Sequence, residues 1–132
     1  MLEDVQKKAI GMISGLRSRD YAAKLQELDL WSLQKRRVMC DLIQVYKVAN
    51  EIGNVKCGLQ FNQDRVANNI PTRHQADPLN LVKKRANLDI RKYFFCNRVV
   101  DKWNEIPTAI KQANNVPRFK RELVKWRKLD VN

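Results

Sequence analysis

Apolar residues recur every three or four positions through most of the chain, a spacing that predicts helices with one buried face. The clearest case is residues 33–52. Its apolar positions repeat by fours and threes at Val38, Leu42, Val45, Ala49 and Ile52. The face is wide enough for a core helix packed between two neighbours. Ser32 is a suitable N-cap for this helix, and Gly53 is a suitable stop.

Four further segments show the same periodicity. The predicted helices cover residues 2–16, 20–29, 90–106 and 117–129. Their flanking residues favour helix ends: Ser18 or Asp20 can cap the second, Asp89 can cap the helix at 90–106, and Asn115 can cap the last. Pro107 cannot continue a helix and therefore ends the one before it.

Residues 53–78 have no sustained period and are rich in Gly, Asn, Asp and Pro, which predicts an irregular segment with one short extended piece near 58–61. Residues 79–86 can form a short strand or an extended arm. The predicted fold is all-α, a helical bundle of about five helices with a long irregular loop in the middle.

The charge changes this picture from a plain helical domain to one with a preferred class of partner. The 132 residues include 26 Lys and Arg against 14 Asp and Glu, a net charge of +12. Such an excess attracts polyanions. Nucleic acid is the first candidate and an anionic membrane surface the second.

Cysteine usage and hydropathy bear on the cell compartment. Cys40, Cys57 and Cys96 are odd in number and far apart, unlike a disulfide framework, so we expect reduced and mostly buried thiols. His74 is the single histidine and has no nearby ligand partners for zinc. No apolar run approaches the roughly 20 residues of a membrane span, and the first ten residues lack a signal-peptide core. We expect an intracellular protein, in the nucleus or cytoplasm, without a membrane partner.

The sequence shows no pattern of catalytic residues. It has no glycine-rich phosphate loop and no metal-binding histidine spacing. Its carboxylates are scattered, and Asp41 stands four residues after Arg37, which predicts an ion pair on a helix surface. We therefore expect no enzyme activity, no cofactor, no metal site and no small-molecule substrate.

Three basic runs lie in or beside the predicted helices. One further candidate residue, Arg73, lies in the middle loop. A single basic run is as typical of a solvated helix face as of a nucleic-acid-binding surface. Three runs with few balancing acids favour binding to phosphates. Aromatic residues among them can stack on bases, yet at helical spacing we interpret Tyr93, Phe94 and Trp126 as core. The predicted nucleic-acid-binding residues are Lys35, Arg36, Arg37, Arg73, Lys83, Lys84, Arg85, Arg91, Lys92, Arg98, Lys102, Arg118, Lys120 and Arg121.

Two sequence blocks carry a resemblance to a known family. The first is RDYAAKLQELDLWSLQKRRVMCDLIQVYKV, and the second is RANLDIRKYFFCNRVVDKWNEIPTAI followed by VPRFKRELVKW. In this order they resemble the C-terminal end of jockey-like, LINE-type non-LTR retrotransposon polyproteins. In that family an endonuclease precedes a reverse transcriptase, and the resembling stretch follows the polymerase palm.

The resemblance implies a division of the chain. Residues 1–53 would form a thumb-like helical segment that grips the template–primer duplex, with Lys35, Arg36 and Arg37 as its contacts. Residues 54–86 would be a loop or linker, and residues 87–132 a C-terminal extension that contacts RNA or target DNA, all packed as one domain. The extension's contacts would be Arg91, Lys92 and Arg98, with Trp103 in the core and Asn104 bonding the backbone before Pro107.

The resemblance also implies limits on function. The palm motif of an aromatic residue followed by two aspartates, the endonuclease residues and the zinc knuckle of some relatives do not occur here. The expected function is that of a nucleic-acid-binding module for RNA, DNA or their hybrid. Its other partner would be the rest of a reverse transcriptase, if the chain is part of a larger polyprotein. The alternative is a reused helical protein-interaction or structural module with no nucleic-acid role.

Overall fold

The structure, a computed structural model, describes residues 2–53, 58–67, 77–85 and 87–129. Across these ranges its regular structure is helical, and the β pairing is an isolated antiparallel bridge between Phe61 and Leu81. The all-α prediction is confirmed. The helices are α1 (Leu2–Gly11), α2 (Tyr21–Glu27), α3 (Leu33–Ala49), α4 (Asn62–Ala67), α5 (Asp89–Lys92), α6 (Phe95–Arg98), α7 (Val100–Asn104), α8 (Thr108–Lys111) and α9 (Val116–Leu129).

The chain divides into two compact units, Met1–Cys40 and Asp41–Asn132. Helix α3 contributes its first half to the first unit and its second half to the second unit. The functional division into segments 1–53, 54–86 and 87–132 stays a prediction. None of the described helices combines the length and the apolar character needed to cross a membrane.

In the first unit, Glu3 ties α1 to both of the helices that follow it. One carboxylate oxygen accepts a hydrogen bond from the Tyr21 hydroxyl at 2.5 Å, and the other accepts one from the backbone N–H of Leu33 at 3.1 Å. The hydrogen bond to Glu3 raises the pKa of Tyr21 to about 12. The Gln6 amide donates to the carbonyl of Trp31 at 3.1 Å. Helix α1 is therefore fixed to α2 and to the start of α3.

The second unit has an aromatic core built on α3, α7 and α9. The rings of Tyr46 and Phe119 stack with their centroids 4.3 Å apart, and Trp103 is tilted against Phe119 at 6.0 Å. The Tyr46 hydroxyl donates to the carbonyl of Ala113, and burial raises the pKa of Tyr46. The most deeply buried side chains are those of Leu42, Val45, Tyr46, Val99, Val100, Trp103, Ile106, Phe119 and Leu123.

Helix α7 holds the segment 79–82 by its last two residues. The indole N–H of Trp103 donates to the carbonyl of Leu79 at 2.8 Å. The side-chain amide of Asn104 accepts from the N–H of Leu81 at 2.8 Å and donates to its carbonyl at 3.0 Å. The prediction that Trp103 lies in the core is confirmed, but the prediction that Asn104 bonds the backbone before Pro107 is wrong. Its partner is a segment 23 residues earlier.

A buried lysine fixes the same segment from α8. The side chain of Lys111 is almost fully buried, with 3% of the residue exposed. Its ammonium lies 2.5 Å from the side-chain oxygen of Asn80 and 3.6 Å from a carboxylate oxygen of Asp77. Burial lowers the pKa of Lys111, although Asp77 opposes that change. Burial alone would raise the pKa of Asp77. The hydrogen bonds from Thr108 and from the N–H of Leu79, together with the charge of Lys111, outweigh the effect of burial, so the pKa of Asp77 is lowered. Sequence analysis did not single out this cluster.

The middle segment is less irregular than predicted, because residues 62–67 form α4. The N–H of Phe61 donates to the Asp64 carboxylate at 3.0 Å, so an acid in the first turn satisfies a backbone group that the helix start leaves unpaired. The expected extended piece at 58–61 lies before α4, and Phe61 bridges Leu81 there. A six-residue helix carries too few residues to show a period.

The single helix predicted over 90–106 is wrong, because this stretch forms α5, α6 and α7 in succession. The backbone of Phe94 is extended, with φ −66° and ψ 148°, and separates α5 from α6. The run from Tyr93 to Val100 is rich in aromatic and β-branched residues, which lose side-chain freedom in a helix. The Asn97 amide donates to the carbonyl of Arg91 at 2.7 Å, which stabilises the break.

The remaining helix ends differ by a few residues from the prediction. Ser32 accepts from the N–H of Lys35 at 3.2 Å and Asn115 from that of Arg118 at 2.8 Å, so both predicted caps are confirmed. Asp20 occupies the N-cap of α2 without a side-chain capping bond. Leu88, not Asp89, is the N-cap of α5. Helix α1 ends at Gly11 and α3 at Ala49, several residues before the predicted stops.

Candidate nucleic-acid interface

The second unit contains a cleft of about 590 Å³. It lies beside residues 83–85, which follow the segment 79–82 that α7 holds. Because Trp103 and Asn104 fix Leu79 and Leu81, the basic residues that follow are held next to the break between α5 and α6. The cleft is lined by Lys83, Lys84, Arg85, Tyr93, Asn97, Arg98 and Asp101. Four cations and one carboxylate therefore face a single concave surface.

The three cations at residues 83–85 differ in their partners. Lys83 pairs with Asp101, its ammonium 2.7 Å from the carboxylate, and both side chains are more than 60% exposed. Such a pair is screened by solvent and contributes little to stability. Lys84 donates to the carbonyl of Gly58 at 3.1 Å, a neutral acceptor, and the described residues show no carboxylate partner for it. Arg85 is exposed, and the described part of the chain shows no ion pair for it.

Arg98 is held by a carboxylate of α3. Its guanidinium donates to both oxygens of Asp41, at 3.0 and 2.9 Å, and these hydrogen bonds raise the pKa of Arg98. The guanidinium also lies 5.8 Å from the ring centre of Phe95. The predicted pairing of Asp41 with Arg37 is wrong, because within the described ranges the ion-pair partner of Asp41 is Arg98. Arg98 shapes the cleft, and Asp41 neutralises much of its charge.

We expect Arg98→Lys to reduce the free energy of unfolding by about 1–2 kcal/mol, because a lysine cannot reproduce two parallel bonds to a carboxylate. Both side chains are less than a third exposed, so solvent screens this pair only partly. Urea denaturation at neutral pH measures the change. Arg91→Lys, at an exposed residue of the neighbouring helix, is the control and should match the parent. Equal stability of the parent and Arg98→Lys would contradict the assignment.

The aromatic residues at the break between α5 and α6 are exposed. Tyr93 is 66% and Phe94 63% accessible to solvent, so their interpretation as core residues is wrong. Leu88 and Ile90 on the same stretch are also exposed. These four residues make an apolar patch beside the basic segment, and Tyr93 is the one that lines the cleft. Because the predicted helix is broken at Phe94, the periodicity that indicated burial does not apply here.

The other predicted binding residues are dispersed. In the first unit Arg36 and Arg37 are exposed, and Lys35 is half-buried with its ammonium 5.2 Å from the ring centre of Trp31. Arg73 and the side chain of Lys92 lie outside what the structure describes. The remaining residues are exposed on the second unit and do not line the cleft: Arg91, Lys102, Arg118, Lys120 and Arg121.

Sequence analysis did not assign Asn97 or Asp101 to the site, and it placed Tyr93 in the core. These residues follow one another at intervals of four, which is the spacing of neighbours on one helix face. That spacing does not identify the site, because the chain leaves the helix at Phe94, between Tyr93 and Asn97. The two segments meet through contacts between distant residues, namely the Asn104 bonds to Leu81 and the ion pair of Lys83 with Asp101.

The lining of the cleft contains no cysteine. Cys40 is exposed, so the prediction of a buried thiol is wrong there, whereas Cys96 is half-buried. Cys57 lies outside the described residues. Among the residues that the structure describes, no three His, Cys, Asp or Glu side chains gather where they could hold a metal ion.

The arrangement combines groups suited to two parts of a nucleotide. Ammonium and guanidinium groups bind phosphate oxygens, and an exposed aromatic ring offers a stacking surface for a base. Comparisons with known protein families, with curated proteins and with solved structures found no match to this chain.

Proposed function

We propose that the chain is a nucleic-acid-binding module that holds phosphate groups without reading base sequence. The observation that supports this most strongly is the cleft of the second unit, where Lys83, Lys84, Arg85 and Arg98 meet around one carboxylate. A concave surface with an excess of positive charge concentrates anions. The net charge of +12 extends this attraction over the whole chain.

The resemblance described above suggests the biological setting of this binding. In our proposal the module corresponds to the thumb and C-terminal extension of a non-LTR retrotransposon reverse transcriptase, an RNA-directed DNA polymerase. It grips template–primer or target nucleic acid, while a palm elsewhere performs the chemistry. Since the sequence lacks the palm's paired aspartates, the chain by itself extends no primer and cuts no strand. An intracellular location, in the nucleus or cytoplasm, goes with this role.

A binding titration against duplex, hybrid and single-stranded probes at several salt concentrations tests the proposal. If about five phosphates are neutralised, the logarithm of affinity should fall with the logarithm of salt with a slope near −4 to −5. Lys84→Ala with Arg85→Ala should reduce that slope by about two, and so should Arg36→Ala with Arg37→Ala by about one to two. Removing Lys8 and Arg17, two exposed cations outside the predicted sites, is the charge-matched control and should reduce it less.

A second candidate function is protein binding, and one observation favours it. Leu88, Ile90, Tyr93 and Phe94 expose apolar side chains within seven residues, and such patches often mark interaction surfaces. In this case the basic residues would serve solubility. A folded chain that binds no nucleic acid at low salt would favour this alternative over the first proposal. Affinity that persists unchanged at high salt would also count against phosphate binding.

A further inference from the structure

We propose that the cleft of the second unit takes one unpaired nucleotide, with its phosphate against Lys84 and Arg85 and its base stacked on Tyr93. This inference rests on the proposed function and deepens it, because it names the part of the nucleic acid that the cleft selects. The preferred ligand is then a single strand, or a duplex with a single-stranded end, in preference to a blunt duplex.

The balance of charge within the cleft locates the phosphate. Lys83 is paired with Asp101 and Arg98 with Asp41, so two of the four cations already have a carboxylate partner. Lys84 bonds a neutral carbonyl, and Arg85 is exposed. Among the described residues, the cations of the cleft without a carboxylate partner are therefore Lys84 and Arg85, and Asp101 repels a phosphate from its own side of the cleft.

The size and lining of the cleft select an unpaired base. Its volume of about 590 Å³ falls within the roughly 300–1,000 Å³ that clefts for small organic groups span. A base in a duplex has both faces covered by its neighbours, whereas an unpaired base can leave the stack and lie on an aromatic ring. Tyr93 lines the cleft and is 66% exposed, so its ring can accept such a base.

The neighbouring aromatic residue provides a matched control. Phe94 is 63% exposed, nearly as much as Tyr93, but it does not line the cleft. If the exposed apolar patch as a whole attracted bases, the two residues would contribute alike. If the cleft selects a nucleotide, Tyr93 contributes and Phe94 does not.

Three labelled hairpin duplexes test the inference by fluorescence anisotropy at low salt: one blunt, one with a thymidine overhang and one with an abasic overhang of equal length. We expect the thymidine overhang to bind about 5- to 150-fold more tightly than the abasic one, the range that one base stacked on an aromatic side chain contributes. Tyr93→Ala should remove this difference. Tyr93→Phe and Phe94→Ala should keep it.

The outcomes separate this inference from the function on which it rests. Equal affinity of the parent chain for the thymidine and abasic overhangs overturns the inference even if binding stays salt-dependent. Equal losses in Tyr93→Ala and Phe94→Ala overturn it as well. Failure of the folded parent chain to bind any of the hairpins at low salt overturns the proposed function too. Because the overhang comparison uses the parent chain, it does not depend on how the variants fold.

Discussion

An Asp77→Asn variant is expected to lose about 3 kcal/mol of unfolding free energy at neutral pH, the low end of the cost of removing one partner from a buried ion pair. The ammonium of Lys111 is almost fully buried and would keep its charge next to a neutral amide. The low end applies because the side chain of Asp77 is 17% exposed. Urea denaturation measures the loss.

The effect should depend on pH in a definite direction. The folded structure lowers the pKa of Asp77 below its ordinary value of 3.8, through hydrogen bonds and the charge of Lys111 that outweigh burial. A carboxyl with a lowered pKa contributes stability that is fully present above the unfolded pKa and is lost as pH falls through the folded pKa. The difference between the parent chain and Asp77→Asn should therefore be constant near neutrality and shrink below about pH 4.

Asp101→Asn is the matched control for this prediction. It makes the same change from carboxylate to amide in the exposed pair with Lys83, where solvent screens the interaction. Its stability should stay close to that of the parent chain. A loss in Asp101→Asn as large as that in Asp77→Asn would show that lost negative charge, and not the buried pair, causes the effect.

Asn104→Ala is the second variant for which we expect a large loss, about 3 kcal/mol, because each unsatisfied buried backbone group costs about 1–3 kcal/mol. The Asn104 amide pairs with both the N–H and the carbonyl of Leu81, whose side chain is also buried. Without it, the segment keeps the bridge to Phe61, the Trp103 bond to Leu79 and the Lys111 contact with Asn80. Affinity for nucleic acid should also fall, since Lys84 and Arg85 follow directly.

Asn97→Ala is the control for this loss, because the amide of Asn97 donates a single exposed bond to the carbonyl of Arg91. Thermal denaturation compares the two variants, and amide hydrogen exchange at Leu81 shows whether the segment opens locally. Faster exchange at Leu81 in Asn104→Ala alone is the expected result. Unchanged stability and exchange would mean that Asn104 does not hold this segment.

Sequence periodicity predicted the two longest helices of this structure. The 17 residues of α3 and the 14 of α9 carry several repeats of an apolar face, and both helices were predicted. The stretch at 90–106 carries a similar repeat, but its run of aromatic and β-branched residues breaks the helix at Phe94. Periodicity reports which residues have helical spacing, and it does not report whether the backbone between them stays helical.

The candidate site was predictable in its charges but not in its geometry. The basic runs of the sequence identified Lys83, Lys84, Arg85 and Arg98. A run of like charges can be recognised without knowledge of contacts. The pairing of Arg98 with Asp41 spans 57 residues, and the bond from Leu81 to Asn104 spans 23. Contacts between distant residues decide which cations are paired with a carboxylate. A local pattern cannot report such contacts, and for the same reason it missed the burial of Lys111.

The most direct test of nucleic-acid binding at the cleft is a ¹H–¹⁵N NMR titration of the chain with a short oligothymidine at low salt. The account predicts that the backbone amides of Lys84, Arg85, Tyr93 and Asn97 shift most, and that added salt reverses the shifts. Shifts confined to the first unit, or no shifts in the cleft while the spectrum remains that of a folded protein, would contradict it.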